Sequence, residues 1–131
     1  MKDEQKAEML AAAEALRAEL TGAASVKVDA RDQYKPGWKF AEWELKGVPV
    51  RLELGPRDLA EGVVTLANRV SGSKDAVALD GLAATVRSAL DAAQAQLLAE
   101  ATERRDSRTV DVATIAEAAE AAALGVIGIV T

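Results

Sequence analysis

Residues Tyr34 to Asp58, YKPGWKFAEWELKGVPVRLELGPRD, are the stretch on which the reading of the whole chain turns. All four aromatic residues, Tyr34, Trp38, Phe40 and Trp43, fall in its first ten positions, and it holds all three prolines, Pro36, Pro49 and Pro56. Aromatic side chains gathered in one place either anchor a core or present a surface that grips a partner. Pro36-Gly37 reads as a loop, since the pair favours a turn over either regular structure. A short helix is expected from Trp38 to Lys46, closed by Gly47. On it Trp38, Ala41 and Leu45 share one side, while Phe40 and Trp43 lie on a neighbouring one. Val48 to Leu54, VPVRLEL, alternates apolar residues with Arg51 and Glu53 and reads as a strand, with Pro49 limiting pairing near its start. Gly55-Pro56-Arg57-Asp58 then turns the chain.

Upstream, Met9, Ala12, Ala13, Leu16 and Leu20 recur at steps of three and four between charged residues, which predicts an amphipathic helix from Asp3 to Leu20. Thr21-Gly22 is expected to stop it, with Gly22 in the left-handed turn. Ser25 to Asp29, SVKVD, alternates and reads as a strand. Downstream, Val63 to Asn68 is a second such run, and Ser71-Gly72-Ser73-Lys74 reads as a hairpin tip leading to Ala76 to Leu79. Asp80 can cap a long helix from about Gly81 to Arg104 whose buried stripe is Leu82, Val86, Leu90, Leu97 and Leu98. Asp111 to Ala123 is Ala-rich and reads as helix, closed by Gly125. The final apolar run, Val126 to Val130, has the character of a buried strand. Helices alternating with strands predict an α/β layer fold with a mixed sheet.

At 131 residues, half of them apolar, the chain suffices for one domain with a real core. It has neither cysteine nor histidine, which excludes disulfides, thiolate metal sites, the usual zinc sites, and Ser-His-Asp and Cys-His nucleophiles. No cofactor is expected. The formal charge of −5 is opposite to that of a self-sufficient nucleic-acid binder, so contact with nucleic acid must be local. MKDEQKAEML has no apolar core for a signal peptide, and no run approaches the roughly 20 apolar residues of a membrane span. A cytoplasmic protein is therefore expected.

PGWKFAEWELKGVPVRLELGPRD closely resembles the signature of the anticodon-binding domain of prolyl-tRNA synthetases of the archaeal, eukaryotic and Thermus-like kind. KDEQKAEMLAAAEALRAEL, VKVDARDQYKPG and GVVTLANRVSGSK are similar to that domain's first helix, second strand with its loop, and strand hairpin. The resemblance covers about residues 2 to 108. It implies a three-layer α/β/α domain with a mixed sheet of about five strands, binding the anticodon loop of proline tRNA in an enzyme that joins proline to tRNA with ATP. The catalytic domain and the domain's first strand are absent from this sequence, so the chain alone is expected not to aminoacylate. Residues 1–108 are expected to form the anticodon-binding-like domain, with 109–131 a helix and strand packed on it. Val126 to Val130 has the composition to occupy the place of the lost first strand. The alternative is a truncated or rearranged fold acting as a structural or oligomerisation module, as a homodimer through a sheet edge.

Recognition of unpaired bases uses carboxylates and amides on base edges, cations on phosphates and planar groups for stacking. Within the signature, Lys39, Glu42, Glu44, Lys46 and Arg51 are of the required types. A carboxylate suits guanine, whose N1 and N2 both donate, and the middle and third letters of proline anticodons are guanines. Glu42 or Glu44 is the expected contact, against the plainer reading of solvated helix charges with Glu42 and Lys46 an i,i+4 pair. Trp38, Phe40 and Trp43 can stack on bases, although aromatic residues at helical spacing are more often core, with Phe40 the one expected to be partly exposed. Arg31, Arg57 and Arg69 sit in turns or at strand ends, where either a phosphate contact or a surface ion pair is open to them. Asp29 with Asp32 lacks the remainder of any acid-base or metal site.

Overall fold

The computed structural model describes residues 2–130, which fall into two compact units, one up to Ala93 and one from Gln94 onward. The division lies inside a helix.

The first unit opens with α1 (Asp3–Leu20), whose expected stripe turns inward and ends on the fully buried Leu20. The helix stops where expected, but by another device. Gly22 is not in the left-handed region. Instead the Thr21 hydroxyl donates to the Arg17 carbonyl at 2.7 Å, and the amides of Ala23 and Ala24 turn back onto the Leu20 carbonyl. Helix α2 (Pro36–Leu45) starts one turn's edge earlier than expected, with Pro36 in the first turn, where its missing N–H costs nothing. It closes on Gly47 at φ 81°, a conformation natural to glycine. Strand β1 (Val50–Glu53) follows, then a short helix α3 (Pro56–Glu61) where a simple turn was expected, started by the Asp58 carboxylate accepting from the Gly55 amide at 3.0 Å.

Strands β2 (Val63–Asn68) and β3 (Lys74–Ala78) form the expected hairpin, and β1 pairs antiparallel with β2 in the order β1-β2-β3. Val50↔Asn68, Leu52↔Leu66 and Val64↔Val77 set the register. With side chains alternating across a strand, one face carries Val50, Leu52, Val64, Leu66 and Val77. That face packs with Leu16 and Leu20 of α1, and with Leu82, Val86 and Leu90 of α4 (Leu82–Ser107), into the hydrophobic core. The opposite face carries Arg51, Glu53 and Lys74.

Two expectations about the sheet are corrected. Ser25–Asp29 forms no strand, and its alternation survives only as Val26 and Val28 half-buried with Val26 on the core. It pairs with no strand among the described residues. Nor does the C-terminal run fill a vacancy in this sheet. In the second unit, β5 (Ile127–Val130) pairs in parallel with β4 (Thr109–Val112) across α5 (Ile115–Ala123), a separate two-stranded sheet. A parallel pair needs a crossover of a dozen or more residues, and the segment between the strands supplies one. The five strands among the described residues are therefore split three and two.

The helix expected over Asp111 to Ala123 is also shortened. Thr109-Val110-Asp111-Val112 alternates as a strand, and Thr114 caps α5, its hydroxyl accepting from the Glu117 amide at 3.2 Å while the Glu117 carboxylate accepts from the Ala113 amide at 3.0 Å. In α4, Leu97 and Leu98 of the expected stripe are exposed. No helix among the described residues is long and apolar enough to cross a membrane.

Candidate nucleic-acid interface

The two apolar sides of helix α2 are unequally exposed. Trp38, Ala41 and Leu45 point outward, Trp38 being 48% and Leu45 89% exposed, while Lys39, Phe40, Glu42 and Trp43 are half-buried. Trp38 lies flat on Tyr34, ring centres 4.0 Å apart, with the Arg31 guanidinium over both rings. Phe40, expected to be partly exposed, is half-buried, with two cations over its ring. The Arg51 guanidinium sits 4.1 Å and the Lys74 ammonium 5.6 Å from its ring centre, which is attractive because the ring face is electron-rich.

Two charge clusters flank these rings. In the first, the Asp29 carboxylate accepts from Arg31 Nε at 2.8 Å and Nη2 at 2.7 Å and from Trp43 Nε1 at 2.8 Å, with Lys39 Nζ 3.9 Å away. Arg31 also donates to Glu42, whose other carboxylate oxygen accepts from Lys46 at 3.0 Å. The Arg31 hydrogen bonds hold Asp29 well below the usual carboxylate range; burial opposes the shift, and Trp43 adds to it. Arg31 and then Lys46 lower Glu42 in the same way. This cluster lines a shallow pocket of about 170 Å³ with Lys27, Val28 and Trp43. The paired acids Asp29 and Asp32 do not act together: Asp29 is bound by Arg31, and Asp32 faces Lys6 at 3.9 Å.

The second cluster lies on the polar face of the sheet. Arg51 bridges Glu44 and Glu53, both at 2.9 Å, and Lys74 reaches Glu53 at 2.8 Å. Burial raises the Glu53 pKa, yet the Lys74 and Arg51 hydrogen bonds outweigh it and the net shift is downward. Here the surface opens into a groove of about 530 Å³ lined by Trp43, Glu44, Arg51, Asn68, Arg69 and Lys74, among others. Trp43 thus forms a wall of both depressions.

Of the candidate residues, Arg31, Lys39, Glu42 and Lys46 come together in the first cluster, and Phe40, Glu44 and Arg51 in the second. Arg57 joins neither; it is exposed on α3 and paired with Glu61 at 3.0 Å. The sequence reading missed Asn68 and Lys74, which the hairpin register carries to the groove. The signal was available in the alternation of Arg51 and Glu53 and in a lysine at the hairpin's end.

Residues 2–89, more than half of the chain, match the family model described as anticodon binding domain. This chain belongs to the anticodon-binding domain family. The domain shares 56% identity over 90 residues with proline-tRNA ligase 2 of Streptomyces avermitilis, covering 69% of this chain and 19% of that protein. It is 42% identical over 112 residues to the proline-tRNA ligase of Cenarchaeum symbiosum, covering 85% and 24%. With the proline-tRNA ligase of Chloroflexus aurantiacus the figures are 43% over 115 residues, covering 86% and 24%. The resemblance to the anticodon-binding domain of prolyl-tRNA synthetases is borne out, and the chain spans about a fifth to a quarter of these relatives' length. Within this anticodon-binding domain the matched residues include α2, β1 and the β2–β3 hairpin, the elements that build the groove.

Proposed function

We propose that the chain is the tRNA anticodon-loop recognition module of a prolyl-tRNA synthetase, acting in the cytoplasm and non-catalytic by itself. The observation that carries this reading is the coincidence of the family match with the elements that form the open groove. Guanine offers N1–H and N2–H to a carboxylate, and O6 and N7 to a guanidinium. Glu44 and Arg51, side by side at 2.9 Å on the groove wall, have these complementary chemistries, and the Glu44 side chain is half exposed. Glu42 is the weaker candidate, because Arg31 and Lys46 already occupy its carboxylate. Its role is to hold the first cluster. Phe40 then sets the height of Arg51, and Arg31, Lys39 and Lys46 supply positive potential near the loop's phosphates.

We take residues 1–108 as the working extent of the module, since α4 runs unbroken to Ser107. Its layered character is supported by α1 and α4 on the apolar face of the sheet and Phe40 of α2 against the polar face. One observation favours a second role: β4 and β5 have open edges, with Ile127, Ile129 and Val130 exposed, a pattern suited to edge pairing between two copies. A sedimentation experiment that finds only monomer at high concentration rejects that role.

The main reading is tested by fluorescence titration of a proline-type anticodon stem-loop and of one with both guanines replaced, at several salt concentrations. Tighter binding of the first at every salt supports it. Equal affinity for the two sinks it.

A further inference from the structure

The groove has three cations, and the two carboxylates bonded among them account for only two. Arg51 is held by Glu44 and Glu53, and Lys74 by Glu53. Arg69, exposed on the same wall, pairs with no carboxylate among the described residues. Its position is nonetheless fixed twice. The backbone amide donates to the Pro49 carbonyl at 2.9 Å, extending the β1–β2 ladder by one residue, and the side-chain Nε donates to the Glu44 carbonyl at 2.9 Å. Next to it the Asn68 side chain accepts from the amides of Val70 and Ser71 and fixes the start of the hairpin tip. A guanidinium tethered through Nε keeps both terminal nitrogens in one plane, the fork that matches two oxygens of a phosphate.

We propose that Arg69 is a phosphate-binding residue of this interface, gripping a backbone phosphate of the RNA whose bases enter the groove beside Glu44 and Arg51. The inference rests on the anticodon reading for the identity of the RNA. Its chemistry stands apart from base recognition, because a phosphate contact is blind to sequence. It also explains how a chain of net charge −5 can meet a polyanion: the groove is locally positive, and the surplus charge is on Arg69. The competing role is purely structural. A cation on the Glu44 carbonyl, in the last turn of α2, also caps a helix C-terminus.

The experiment compares wild type, Arg69→Gln and Arg69→Lys against the two stem-loops across a salt series, with thermal melting of each variant. Arg69→Gln is expected to weaken both RNAs by the same factor, on the order of tenfold, and to flatten the log–log salt slope by about 0.7. Arg69→Lys keeps the slope. Stem-loops with a single methylphosphonate scanned through the loop add a second readout: at the gripped linkage wild type loses affinity and Arg69→Gln loses no more. A lower melting temperature with unchanged RNA affinity overturns the proposal in favour of a helix cap. Altered discrimination with an unchanged slope overturns it in favour of base contact. Wild type that binds neither RNA overturns both this proposal and the anticodon reading. Wild type that binds both equally, with the slope change at Arg69, retires the anticodon reading alone.

Discussion

Trp43 is the residue on which the interface balances. Its indole N–H satisfies Asp29 at 2.8 Å, its ring receives Lys27 at 5.1 Å and Lys46 at 4.6 Å, and its edges wall both depressions. Trp43→Phe keeps a ring under the two ammonium groups but removes the donor, so the half-buried carboxylate loses a partner. Urea unfolding is expected to show a loss of about 1 kcal/mol. At Glu44 the expectation is functional: Glu44→Gln replaces one accepting oxygen with a donor and should cut the preference for guanine-containing loops about tenfold, with an unchanged urea midpoint. Composition located these side chains, but not their orientation. Helical spacing separates Trp38, Ala41 and Leu45 from Phe40 and Trp43 without saying which set faces inward. The deciding partner, Asp29, is 14 residues from Trp43 in sequence.

Elements were legible wherever a pattern and a stop signal agreed. Such agreement covers α1, the Gly47 end of α2, and the β2–β3 hairpin. The short helix α3 was hidden because a six-residue element has too few positions to show a period. Strand β4 was hidden by the alanines that follow it, although Thr114 and Glu117 have the spacing of a helix start. Thr114→Ala should cost the second unit about 1 kcal/mol, measured as faster amide exchange across α5. Leu82, fully buried where α4 meets the sheet, should cost about 3 kcal/mol on truncation to alanine, read from the urea midpoint. Strand pairing was the least legible feature. Ser25–Asp29 and Val126–Val130 both have strand character, but whether each finds a neighbour, and which, depends on long-range geometry that alternation does not encode.

For the molecule as a whole, the carboxylate clusters couple stability to acidity. Asp29, Glu42 and Glu53 all titrate below their ordinary values of 3.8, 4.5 and 4.5. A depressed folded-state pKa means that the unfolded chain takes up protons first as pH falls. The stabilisation is thus complete above those values and is lost on descending below about pH 4.5, so the urea midpoint should be flat from neutrality to about pH 5.5 and drop toward pH 3. Asp29→Asn should shallow that drop; an unchanged profile would argue against Asp29 as a main contributor. The same charges that hold α2 to its surroundings leave one wall of the groove with a surplus cation, which lets an acidic domain present a positive patch. The central claim, that this groove reads guanine in an anticodon loop, is tested most directly by the ratio of dissociation constants for the guanine-replaced and proline-type stem-loops. That ratio should be about ten or more for wild type and fall toward one in Glu44→Gln. A wild-type ratio of one, or a ratio untouched by the substitution, would contradict the account.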